Sequence, residues 1–159
     1  LVDAIAQLSQ DIRNNVKCVI VGKGEERENL DKQIAKLGLK KHVHIEEWME
    51  IEDFKALIAC SDVFVHPARF DAYGGGTLNA MGVGTPVIGT NEAGSAPDRV
   101  IDEENGFLYD ASDTQKLSNL IKYALTNRKR LQGLGRCARK TAERWDPIVG
   151  KNIIKKEAI

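Results

Sequence analysis

Apolar positions along the chain alternate between two periods. Leu1, Val2, Ala4, Ile5 and Leu8 share the spacing of one helical face. A β-branched run at 16–21 then ends at Gly22 and predicts a buried strand. Helical spacing returns over 25–37 through Leu30, Ile34 and Leu37, and stops at Gly38, a C-cap glycine. Residues 42–45 alternate as a short strand, 51–59 are helical, and 62–66 form a strand halted by Pro67. The second half repeats the rhythm. Gly74, Gly75 and Gly76 lead into a helix at about 77–81, with Gly82 and Gly84 marking its end. Strands are predicted at 86–89 and, after the acidic loop 102–105, at 106–109. Asp113 is placed as the N-cap of a helix running through 125. A basic helix follows over 128–145, and Pro147 opens a last one.

Strands alternating with helices of this length imply βαβ units. The expected fold class is α/β, a Rossmann-like three-layer α/β/α arrangement around a mainly parallel sheet. With no internal repeat or linker composition, residues 1–159 read as a single domain. Ligands of such sheets sit at the carboxyl ends of the strands, which directs attention to 22–25, 46–48, 66–76 and 90–98.

Composition narrows the classes. At 159 residues and 42% hydrophobic, the chain has enough apolar material for one core and too much for a disordered segment. No apolar run approaches the roughly 20 residues of a membrane span. Lys+Arg and Asp+Glu are both 23, and this balance argues against a nucleic-acid binder. Cys18, Cys60 and Cys137 are odd in number and form no CxxC pair. They read as buried free thiols in a cytoplasmic setting. His42, His44 and His66 lack metal-ligand spacing, so no metal site is expected. His42 and His44 are placed at the surface or half-buried. The chain starts at Leu1 inside a helical pattern with no signal peptide, and is expected to be a piece of a longer protein.

Two stretches carry chemistry. In VGKGEE (21–26), Gly22 and Gly24 supply G-x-G, but the third glycine of a dinucleotide fingerprint falls on Arg27. The stretch reads as a tight strand-to-helix turn, with Gly22 and Lys23 also placed to line a ligand cleft. The second is HPARFDAYGGGTLNAMGVGTPVIGT (66–90). Three glycines at a helix start leave N–H groups open to an anion, at a helix end that carries partial positive charge. They are costly in a first turn unless close approach is needed, so this is the expected phosphate or diphosphate site. Asp71 lies before the glycines and Asn79 eight residues later, inside the helix. Either side chain can bond ligand hydroxyls. His66 ends a strand beside this site. Arg69 faces either an anion or solvent, and the basic residues 127–144 read as a solvated face with an option on an acidic partner or anionic lipid.

The order VGKGEERENLDKQIAKLGL, then DVFVHPARFDAYGGGTLNAMGVGTPVIGTNEAGSAPDRVI, then NGFLYD resembles the nucleotide-binding C-terminal half of retaining GT-B glycosyltransferases. It is most similar to the group containing glycogen-synthase-like and sucrose-synthase-like enzymes, known as glycosyl transferases group 1. The resemblance runs from about Leu1 to Trp145. It implies that Asp71 stands where the family's first glutamate contacts the transferred sugar. Gly74, Gly75, Gly76 and Thr77 stand where backbone amides hold the donor diphosphate. Asn79 takes the place of the glutamate that grips the ribose, and Glu47 and Trp48 lie where the base is held. The turn Gly94, Ser95, Ala96, Pro97, Asp98 replaces the usual G-G-x-x-E.

What the resemblance implies further is a metal-independent reaction without cofactor. Its substrate is a nucleoside-diphosphate sugar, with a UDP-sugar the first expectation. The implied partners are that nucleotide sugar and an N-terminal GT-B domain carrying the acceptor site, with peripheral membrane association of the parent protein and no nucleic acid. Two departures stand out: Asp71 is one methylene shorter than glutamate, and Asn79 loses charge-assisted strength. The family's first C-domain strand, with the basic residues that neutralise the leaving group, is not in the sequence, so a slot or a rearranged sheet is expected. The alternatives are a non-catalytic glycosyltransferase-like binding module and a nucleotide-sugar epimerase-type enzyme.

Overall fold

The structure, a computed structural model, describes residues 1–145; the helix expected after Pro147 lies outside them. In chain order the elements are α1 (Val2–Ala6), α2 (Gln10–Arg13), β1 (Cys18–Val21), α3 (Arg27–Lys36), β2 (Val43–Glu46), α4 (Ile51–Ala59), β3 (Phe64–His66), α5 (Gly75–Val83), β4 (Val87–Thr90), α6 (Ala96–Arg99), β5 (Gly106–Tyr109), α7 (Thr114–Thr126) and α8 (Arg128–Glu143).

Every strand pairing is parallel, as expected. The sheet is divided in two: β1 pairs β2 with Cys18 opposite Val43, while β3, β4 and β5 follow in that order with Phe64 opposite Val87 and Val87 opposite Gly106. No ladder joins β1 to β3 among the described residues, and both edge strands are only half-buried, whereas all four residues of β4 are buried.

Two cores explain why β4 is buried on both faces. Ile88 points into a cluster with Ile5, Leu39, Val43, Phe107, Leu117 and Leu134, which spans both sheets under α1, α3 and α7. Its neighbour Val87 points the other way, into Ile58, Ala80, Met81, Val100 and Ala138 under α4, α5 and α8. Successive strand residues face opposite sides, so a continuous apolar strand between two helical layers is the α/β/α sandwich the sequence predicts. Where α5 ends, Gly84 adopts a left-handed conformation and its carbonyl lies against Gly135 of α8, leaving no room for a Cβ there.

Several boundaries differ from expectation, each for a local reason. Gly75 and Gly76 lie inside α5 and Gly82 does not end it; the helix closes at Gly84, the glycine with positive φ. The short helices α2 and α6 have too few residues to show a period. The Asp113 cap is as expected, its carboxylate accepting the Lys116 amide at 2.7 Å. The expectation of three buried thiols needs correcting: Cys18 and Cys137 are half-buried and Cys60 is exposed, because it follows the last turn of α4 on the solvent side. His42 is half-buried and His44 exposed.

Candidate functional site

The loop after β3 is built around one carboxylate. Asp71 Oδ1 accepts hydrogen bonds from the Tyr73 amide at 2.9 Å and the Gly74 amide at 2.7 Å. Its Oδ2 lies 3.0 Å from His66 Nε2, and His66 Nδ1 lies 3.2 Å from the hydroxyl of the fully buried Thr77. The two amides, with His66 behind them, hold the Asp71 carboxyl below the usual carboxylate range. Asp71 therefore stays ionised at neutral pH. His66, Asp71, Gly74 and Thr77 form one connected cluster at the carboxyl end of β3.

This loop is stitched to the one after β4. Asp71 and Ala93 form a parallel bridge, Ser95 donates its amide to the Tyr73 carbonyl at 3.1 Å, and its hydroxyl donates to the Gly74 carbonyl at 2.9 Å. Thr90 adds a hydroxyl bond to the Ala68 carbonyl at 2.6 Å. Only glycine fits at Gly74. Its φ is +67°, and a Cβ would stand 2.9 Å from Ser95 Oγ and 3.1 Å from the His66 ring.

The glycine run itself is more selective than expected. The Gly74 amide is taken by Asp71 and the Thr77 amide by the Gly74 carbonyl at 3.0 Å. The amides of Gly75 and Gly76 donate to no group among the described residues. A Cβ on Gly76 would strike the Phe64 ring at 2.9 Å, whereas one on Gly75 would meet nothing nearer than the Tyr73 ring at 3.8 Å. Two adjacent unengaged N–H groups thus open α5, with the helix dipole behind them. Asn79 is half-buried one turn further in, and its side-chain carboxamide has no hydrogen-bond partner among the described residues.

The other candidates stand apart from this cluster. Gly22 closes the β1–β2 pair by donating to the Glu46 carbonyl at 2.9 Å. Lys23, Glu47 and Trp48 are exposed beyond the carboxyl ends of β1 and β2, Trp48 at 69%. None is hydrogen-bonded to the glycine loop. Arg69 is exposed. An open groove lies elsewhere, between Arg27, Lys40, Val43 and His44, and shares no residue with the glycine loop. Among the described residues there is no cluster of metal-ligating side chains, and no helix is long and apolar enough to cross a membrane. Sequence reasoning missed the contacts that Ser95 and Tyr73 make in holding the loop. Only the turn 94–98 offered a signal, and only for Ser95.

A strand, an acidic turn, a glycine-opened helix and a second strand feeding back onto that turn thus form one connected frame at the carboxyl ends of β3 and β4. The family model for glycosyl transferases group 1 matches residues 1–141. The chain belongs to this family. Over 123 residues it is 32% identical to the lipopolysaccharide core biosynthesis glycosyltransferase LpsE of Rhizobium meliloti, covering 77% of this chain and 34% of LpsE. Over 153 residues it is 28% identical to the GDP-mannose-dependent alpha-(1-6)-phosphatidylinositol monomannoside mannosyltransferase of Mycolicibacterium smegmatis, covering 91% and 40%. The crystal structure of Anabaena Alr3699/HepE in complex with UDP-glucose superimposes with a TM-score of 0.86 at 27% identity, over 99% of this chain and 43% of HepE. The chain therefore spans less than half the length of each of these proteins.

Proposed function

We propose that this chain is the donor-binding half of a glycosyltransferase that transfers a sugar from a nucleoside-diphosphate sugar to an acceptor hydroxyl with retention. The observation that carries the reading is the pair of unengaged amides at Gly75 and Gly76, on a loop fixed from both sides. Departure of a nucleoside diphosphate builds negative charge on its oxygens. Preorganised N–H donors aimed at that charge lower the barrier without reorganising during the reaction. Asn79 offers a donor and an acceptor to the ribose diol, and Trp48 an exposed ring and Glu47 an acceptor to the base. UDP is the first donor to test, because HepE is seen with UDP-glucose; no cofactor or metal is part of the scheme.

In this scheme the acceptor site lies on a further GT-B domain of the parent protein. The 159-residue chain alone then binds nucleotide without glycosylating an acceptor. The compartment proposed is the cytoplasm, with the basic face of α8 available to bring the parent protein to anionic membrane. Calorimetric titration with UDP, GDP, UDP-glucose and uridine tests the proposal. Diphosphates binding at least about tenfold tighter than uridine support it, since each charge-assisted contact contributes on the order of 1.5–3 kcal/mol. No diphosphate binding at millimolar concentration contradicts it.

One observation favours the second reading, a non-catalytic binding module. Every strong contact of the Asp71 carboxylate is made within the protein, to Tyr73, Gly74 and His66. A carboxylate so occupied caps the loop rather than facing a sugar. Comparing UDP-glucose with UDP separates the two, because a site that reads the sugar binds the sugar nucleotide differently.

A further inference from the structure

Arg99, the last residue of α6, is 7% exposed, and its Nε and Nη1 have no hydrogen-bond partner among the described residues. Buried guanidinium N–H groups without hydrogen bonds are costly unless something else receives the charge. Here two aromatic rings do. The guanidinium carbon lies 4.4 Å from the centroid of Trp145, just past the end of α8, and 5.4 Å from that of Tyr73. Both distances fall within cation–π range. The Arg99 backbone is tied in the same direction: its carbonyl accepts from the buried Asn105 side chain at 2.9 Å, and the same amide reaches Thr141 of α8 at 3.1 Å.

Tyr73 is the more distant of the two rings and is also part of the glycine loop. Its amide is held by Asp71 and its carbonyl by Ser95, and it precedes Gly74 directly. Its ring is 62% exposed, so the hydroxyphenyl group is not held by burial in a core. The Arg99 cation is what the ring packs against.

We propose that Arg99 is a positioning residue: with Trp145 and Tyr73 it forms a cation–π clamp that couples the end of α8 to the loop presenting the Gly75 and Gly76 amides. Holding Tyr73 fixes the direction from which α5 starts, so the clamp preorganises the anion-binding turn. By the same linkage, a diphosphate seated on that turn is felt at Trp145. The ligand part of this inference rests on the donor-site reading above; the mechanical part does not.

The test follows the Trp145 indole N–H resonance in the otherwise unaltered chain, assigned by its loss in Trp145→Phe; the other tryptophan is Trp48. UDP shifts the Trp145 resonance. Arg99→Met abolishes that change and weakens UDP binding by about tenfold, the size of one desolvated cation–π contact. Arg99→Lys restores part of both. Without nucleotide, Arg99→Met and Trp145→Ala each speed amide hydrogen exchange at Tyr73, Gly74 and Thr77, the hydrogen-bonded amides of the loop. Trp145→Ala removes only a half-exposed ring and decides the matter if Arg99→Met fails to fold. Unchanged exchange at these three amides in a folded variant overturns the clamp, as does unaltered UDP affinity in Arg99→Met when the wild-type chain binds UDP. If the wild-type chain binds no UDP, the donor-site reading falls, and the exchange measurement alone decides the clamp.

Discussion

The Gly74 amide donates to Asp71 Oδ1 at 2.7 Å, and this bond makes the acidic residue a cap for the glycine turn. The cap determines which amides remain open. Replacing Asp71 with Ala strands the Tyr73 and Gly74 amides and releases His66. The expected cost is about 1 kcal/mol, as for loss of an N-cap, and Asp71→Asn should lose less because an acceptor oxygen remains. Thermal melts of the two variants check the order. Equal melting temperatures for wild type and Asp71→Ala would contradict it.

The same carboxylate sets a pH dependence. Its folded-state pKa lies below its ordinary value, so its stabilisation is fully present above the unfolded pKa of about 4 and fades as pH falls through the folded value. The stability difference between wild type and Asp71→Asn should shrink as pH falls below about 4. Urea midpoints across that range measure it. A difference that grows on acidification would reverse the assigned sign.

Neighbouring glycines should respond oppositely to alanine. Gly74→Ala combines a left-handed φ with a Cβ 2.9 Å from Ser95 Oγ. It should cost about 2 kcal/mol, or roughly 4–8 °C of melting temperature. Gly75→Ala enters open space in a helical first turn and should be neutral or stabilising by up to about 0.5 kcal/mol. Similar losses at both positions would mean that the turn is not built as described.

Thiol reactivity should follow burial. Cys60 is exposed, while burial pushes the Cys18 thiol up to about 11 from 9.0. Two pKa units leave about 100-fold less thiolate on Cys18 near neutral pH, and the thiolate is the reacting species. Alkylation followed by peptide mass spectrometry should find Cys60 modified well before Cys18. Simultaneous modification would show that the β1 region opens readily.

Most elements were legible because their signals are local. The β-branched runs 18–21 and 87–90, the apolar spacing through Leu30 and Ile34, and Asp113 before a helix each act within a few residues. The glycine turn was legible as a helix start with open amides for the same reason. Its selectivity was not: that the Gly74 and Thr77 amides are consumed, leaving Gly75 and Gly76, depends on where the Asp71 carboxylate and the Gly74 carbonyl end up. Arg99 was illegible for a stronger reason. Its environment is assembled from Tyr73, Asn105 and Trp145, which are 26, 6 and 46 positions away in the chain, and no short window contains them. The buried expectation for Cys60 failed because an apolar neighbourhood in sequence does not say which side of the last helical turn faces solvent.

The most direct test of the account is an amide NMR titration of the chain with UDP and, separately, with uridine. The account predicts that UDP moves the Gly75 and Gly76 resonances most, that uridine leaves them in place, and that Gly75→Val removes the UDP response. Equal shifts with uridine, or UDP shifts that spare Gly75 and Gly76, would contradict a diphosphate cradle at the start of α5.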